Sequence, residues 1–168
     1  MPSVRKPVLT AAIILACALG ASAGAEEKPA APTAGHDHAM PVPPASPSGR
    51  TPAPADAYAY IGWPINGAVL RSTRFRVWFG LRGMGVAPAD TDKPNTGHHH
   101  LLIDTPLPPL DEPIPHDKTH LHYGLGQTEA VIELPPGTHT LQLLVGDAHH
   151  IPHEPPVMSK KITIVVRP

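Results

Sequence analysis

The sequence predicts an all-β fold, an antiparallel immunoglobulin-like β-sandwich of seven or eight short strands, and three observations lead to it. Phe75, Val77, Phe79 and Leu81 alternate with Arg74, Arg76, Trp78 and Gly80, which is the period-two pattern of a half-buried strand. The chain carries 24 prolines in 168 residues, and proline both removes a backbone donor and clashes inside a helix, so a mostly helical chain is excluded. Short apolar runs are separated by turn signals at Asn66-Gly67, Pro135-Pro136-Gly137 and Gly146-Asp147, with no convincing helical period between them.

Taken in order, the chain begins with a targeting segment. Arg5 and Lys6 precede an apolar stretch at 8–20 that is too short to span a bilayer comfortably. Ala21-Ser22-Ala23 and Ala23-Gly24-Ala25 both offer small residues where a signal peptidase cuts, so 1–25 is expected to be a signal peptide and the mature protein periplasmic or secreted, with no transmembrane segment after cleavage. Two alternatives stay open: an uncleaved anchor, or a lipoprotein attached through Cys17, since Ile14-Leu15-Ala16-Cys17 loosely matches a lipid-attachment box. Cys17 is the sole cysteine, so a mature chain without it has no thiolate nucleophile and no iron–sulfur ligand. Residues 26–57 are rich in Pro and Ala and poor in large apolar groups, a composition expected to form a disordered linker. Within it, Gly35-His36-Asp37-His38-Ala39-Met40 reads either as a weak metal-catching tract or as a solvated tail.

The folded domain is expected over 58–168. A β-like run at 58–63 ends at Pro64, and Asn66-Gly67 turns the chain into a short strand at Val69-Leu70. The alternating strand at 74–81 is broken by Gly83-Met84-Gly85-Val86-Ala87-Pro88. A polar loop leads to Gly97-His98-His99-His100-Leu101-Leu102-Ile103-Asp104, three imidazoles running into an apolar triplet, which reads as a buried strand. A proline-laden loop at 105–115 follows. The segment 116–123 places His120 and His122 on one face if extended, 127–134 reads as a strand, and in 138–145 Leu141, Leu143 and Val145 share one face with His139. The last strand, 160–166, sets Ile162, Ile164 and Val166 against Thr163 and Val165.

The histidines are the compositional outlier. The sequence has 12, and apart from His36 and His38 all fall between positions 98 and 153. Side chains alternate across a strand, so His98 and His100 face one side and His99 the other. His150 and His153 lie in a turn stiffened by Pro152, after the strand at 138–146. Loops at one end of a sandwich cluster in space, so His98, His100, His150 and His153 are the expected metal ligands, with His99 and His122 in reserve. Asp104 and Asp147 are candidates to orient a liganding ring through its second nitrogen, or else turn residues. His139, at the start of its strand, is expected at the opposite end, in a structural role. An imidazole set suits Cu(II), Zn(II) or Ni(II), with copper first and zinc second; Met84 and Met158 offer thioethers for Cu(I) or ordinary packing.

Gly97-His98-His99-His100-Leu101-Leu102-Ile103-Asp104, Gly126-Gln127-Thr128-Glu129, Leu134-Pro135-Pro136-Gly137-Thr138-His139-Thr140-Leu141 and Gly146-Asp147 through His150-Ile151-Pro152-His153 occur in that order. As a set they resemble the bacterial domain-of-unknown-function family numbered 4399, over roughly residues 60–168. The resemblance implies an exported domain with clustered histidines and supplies no activity. Net charge is −1 with neutral histidines, so no basic footprint points to nucleic acid. No Gly-x-Ser-x-Gly elbow, phosphate loop or helical zinc motif names a reaction. The leading expectation is an exported domain that binds a transition metal for storage, delivery or sensing. A metal-free envelope module recognising a protein or glycan through aromatics around Trp63 or Trp78 is the alternative, and a metal-dependent enzyme the third.

Overall fold

The structure, a computed structural model, describes residues 48–168. The expected signal peptide, Cys17, His36, His38 and most of the Pro/Ala-rich linker lie outside the described residues. The described residues hold nine strands and no helix, and so none long and apolar enough to cross a membrane. The strands are β1 (Tyr58–Trp63), β2 (Val69–Leu70), β3 (Arg74–Arg82), β4 (Gly85–Val86), β5 (Thr96–Ile103), β6 (His120–Tyr123), β7 (Glu129–Glu133), β8 (Gly137–Gly146) and β9 (Ile162–Val166). They form a three-stranded sheet, β1-β3-β7, and a six-stranded sheet, β2-β9-β8-β5-β4, with β6 on β5.

The sandwich is not purely antiparallel. The two-residue strands β2 and β4 pair in parallel with β9 and β5. β4 lies in the stretch read from sequence as a break. Its Gly-rich flanks allow only a two-residue pairing, too short to carry a period-two signal. Order also begins before Tyr58. Thr51 and Ala53 exchange backbone hydrogen bonds with Glu154, Arg50 forms an ion pair with the same residue, and Ala53 is buried in the core. A Pro/Ala composition is poor in large apolar groups, but here the ordering comes from backbone pairing to a distant loop.

The main core sits between the sheets. Val77 and Phe79 from β3, Leu101 and Ile103 from β5, Leu141, Leu143 and Val145 from β8, and Ile164 and Val166 from β9 close on one another. Burying one such Leu or Val contributes roughly 1.5–3 kcal/mol, so these residues fix which face of β5 and β8 turns inward. The opposite face of β5 and β8 is not left to solvent. Leu102, Leu144 and Ile114 form a second small apolar cluster with Met158 packed on it. Ile114 belongs to the proline-laden loop and Met158 to the connection after β8, so both loops fold back over this outer face. Both methionines considered as thioether ligands are packed: Met84 against the main core and Met158 here, where its sulfur accepts from Gln142 Nε2 at 3.7 Å.

Candidate metal centre

β5 and β6 deliver the histidines. Alternation along β5 sends His98 and His100 to the loop-covered outer face and His99 to the core. There His99 packs 5.4 Å from Phe79 between ring centroids, with its Nδ1 3.2 Å from the Gln127 carbonyl oxygen. His122 stands directly opposite His100 in the β5–β6 register, and directly opposite residues on one face are neighbours. His98 faces Gly146 on β8, the residue at which the strand ends. A Cβ on Gly146 would come within 3.2 Å of both His100 Nε2 and His150 Cα, so a side chain here would press on this ring and this turn together.

The connection after β8 brings in His150. Asp147 shapes its turn: one carboxylate oxygen accepts the backbone N–H groups of His149 at 2.8 Å and Ile151 at 2.9 Å, and the other accepts the Thr51 hydroxyl at 2.6 Å. His150 itself adopts φ +67°, a left-handed conformation uncommon for a residue with a Cβ. Its carbonyl accepts the Ile114 N–H at 2.9 Å, so the proline-laden loop and the Asp147 turn lock each other.

Four rings result, packed face and edge. Centroid separations are 4.9 Å for His98–His100, 5.0 Å for His98–His122, 5.0 Å for His100–His122, 4.9 Å for His98–His150 and 4.8 Å for His122–His150. His98 Nε2 and His100 Nε2 lie 3.0 Å apart, within hydrogen-bond reach. His98, His100 and His122 each offer a ring nitrogen within 4.8 Å of the other two. His98 Nδ1, His100 Nδ1 and His122 Nε2 are buried without a hydrogen-bond partner. Leaving a buried polar atom unpaired costs on the order of 1–3 kcal/mol, so such atoms call for an explanation.

The electrostatics favour neutral imidazole. Burial first, then the charges of His150 and His122, lower the His98 pKa from 6.5 to about 4. Burial and the neighbouring rings, His98 foremost, push His100 down to about 2. His122 is lowered by burial and by His150 and His116. Neutral imidazole is the form that binds a metal ion.

Other expected ligands go elsewhere. His153 is fully buried, but its Nε2 lies 3.1 Å from the Thr96 carbonyl, and its Cε1 lies beside Gly97 on the face of β5 opposite His98. Pro152 is bridged to Gly146, so the next residue points to the other side of the sheet and the three-residue spacing from His150 does not produce convergence. Asp104 does not orient a clustered ring. Its Oδ2 accepts His139 Nδ1 at 2.6 Å, and His139 Nε2 meets the Pro135 carbonyl at 2.9 Å. His116, the first residue of the 116–123 segment, packs edge-on against His122 at 5.3 Å. Its signal was weak because the proline-laden loop before it has no periodicity from which a direction could be read.

A family model, Domain of unknown function (DUF4399), matches residues 77–167. That span contains all of the clustered rings. No curated protein and no solved structure matches the chain.

Proposed function

We propose, from the premise that the chain belongs to the DUF4399 family and so carries a domain without an assigned activity, that it binds one transition-metal ion through His98, His100 and His122. The observation that carries this reading is the set of three ring nitrogens within 4.8 Å of one another, on two buried rings and one half-buried ring, in a cluster with three unpaired nitrogen atoms. His150 supplies the fourth donor or covers the ion. Copper is favoured, because an all-nitrogen borderline site binds Cu(II) most strongly in the divalent series, and zinc comes second. With three ligands on neighbouring strands and a fourth on a turn, the domain suits storage, delivery or sensing outside the cytoplasm. Isothermal titration of the purified protein at pH 7.5 is expected to show about one tight equivalent, released only as the pH falls to about 4 and below, where His98 begins to protonate. Weak binding of undefined stoichiometry to both Cu(II) and Zn(II) overturns the reading.

One observation favours a second reading. Tyr58, Tyr60, Trp63 and Trp78 are all exposed. β1 and β3 place them on the outer face of the three-stranded sheet, beside the Arg76–Glu129 ion pair. Exposed aromatic patches mark interaction sites, and flat rings beside charged hydrogen-bonding groups suit a glycan. Co-sedimentation with isolated cell-wall polysaccharide, lost in a Trp63→Ala/Trp78→Ala variant, is the expected result; no retention of the parent protein removes this reading.

A further inference from the structure

We propose that the metal ion enters through the cleft between β6 and β7, and that His116 is the ligand that receives it first. This route rests on the metal-binding reading above. His98 and His100 are essentially fully buried, so an ion cannot reach them directly from solvent. Two less buried rings, His122 and His150, border them. On the His150 side the backbone is held at three points, by Asp147 twice and by Ile114 once, so the turn that carries this ring is fixed in place. On the His122 side lies an open cleft of about 490 Å³, whose wall includes both His116 and His122 above Leu121 and Ile132. It exists because β6 and β7 each pair with one neighbour only, leaving the two sheets apart at this edge.

His116 is exposed, and its ring packs edge-on against His122 at 5.3 Å. It stands outside the three nitrogens that lie within 4.8 Å of one another. An aqueous ion exchanges one water for the His116 nitrogen at the cleft, then a second for His122, and is passed inward to His98 and His100 as His116 lets go. Each exchange replaces one water by one neutral imidazole and leaves the charge of the ion unchanged. Lys118 and Glu133 both line the cleft, so their formal charges cancel and the imidazoles, not a charge gradient, draw the ion in.

The test is stopped-flow mixing of the metal-free protein with Cu(II) chloride, followed by chelator-driven release, beside equilibrium titration. In His116→Ala, uptake and release are both expected to slow about tenfold while Kd stays within about twofold, because Kd is the ratio of the two rates. Val131→Trp, at an exposed position on the cleft wall outside the histidine cluster, is expected to slow both rates by obstructing the mouth. Unchanged rates in both variants overturn the route while leaving the metal site standing. A weaker Kd with an unchanged uptake rate in His116→Ala overturns it too, since His116 would then be a resident ligand. Failure of the parent protein to bind at equilibrium removes the site itself, and the route with it.

Discussion

The two ends of the β5–β8 pair hold histidines in opposite conditions. Where β5 begins and β8 ends, His98, His100, His122 and His150 pack ring against ring, and the first three have an unpaired ring nitrogen and a lowered pKa. Where β5 ends and β8 begins, His139 has both ring nitrogens engaged, by the Asp104 carboxylate and the Pro135 carbonyl. Burial works against its charge, but the Asp104 and Pro135 bonds outweigh it and raise its pKa. The difference teaches that the number of histidines does not mark a site. What marks it is unpaired nitrogens on several rings within shared reach, since His99 Nε2 and His153 Nδ1 are unpaired too but lie outside the three rings whose nitrogens come within 4.8 Å of one another. A satisfied ring ties strands together, whereas a set of unsatisfied, neutral rings at shared reach is chemically available.

The comparison can be broken most directly by deleting one ring at each end. His100→Ala is expected to weaken metal affinity about 100-fold or more, since removing one ligand of three leaves no defined site, whereas His139→Ala should leave affinity within about threefold. Equal losses at the two ends, read by competition titration against a chelator, would erase the distinction.

A second, smaller effect is the pH dependence of the metal-free fold, where the two ends have opposite signs. His98 has its folded pKa depressed, so the unfolded chain takes up the proton first as pH falls below 6.5. The stability present above 6.5 is lost towards pH 4, by about 3 kcal/mol from this group alone. His139 has its pKa raised, so its contribution is complete below 6.5 and is lost as pH rises through its higher folded value. Urea midpoints measured in EDTA across pH 4–9 should therefore fall on both sides. A His98→Gln/His100→Gln variant should flatten only the acid limb and His139→Gln only the alkaline one. An acid limb left intact in the double variant would show that other groups govern it.

The smallest effect sharpens the structural end. Asp104 adopts φ +52°, which asparagine tolerates, so Asp104→Asn removes charge while keeping the backbone. Because this carboxylate is partly exposed, a loss of about 0.5–1 kcal/mol is expected, with the alkaline limb moving towards pH 6.5 and metal affinity unchanged. A change in metal affinity on calorimetry would mean that the two ends communicate.

Much of the fold was legible in the residues themselves. Alternation in 74–81 yields β3, and Leu141, Leu143 and Val145 do face the core together. The same rule puts His98 and His100 on one face and His99 on the other. The ring cluster was only partly legible. His122 joins through its register with His100, a pairing between strands separated by the whole proline-laden loop. His153 departs because the Gly146–Pro152 bridge reverses its direction, and nothing in the spacing of His150 and His153 announces that bridge.

By itself, then, the sequence determined which side chains share a face, because alternation is built into the covalent geometry of each extended residue. Only the tertiary structure decided which faces meet and which rings approach one another. Strand register and the docking of the 105–119 and 147–158 loops depend on contacts between residues far apart in the chain, and those contacts are selected by the burial and hydrogen bonding of the whole fold.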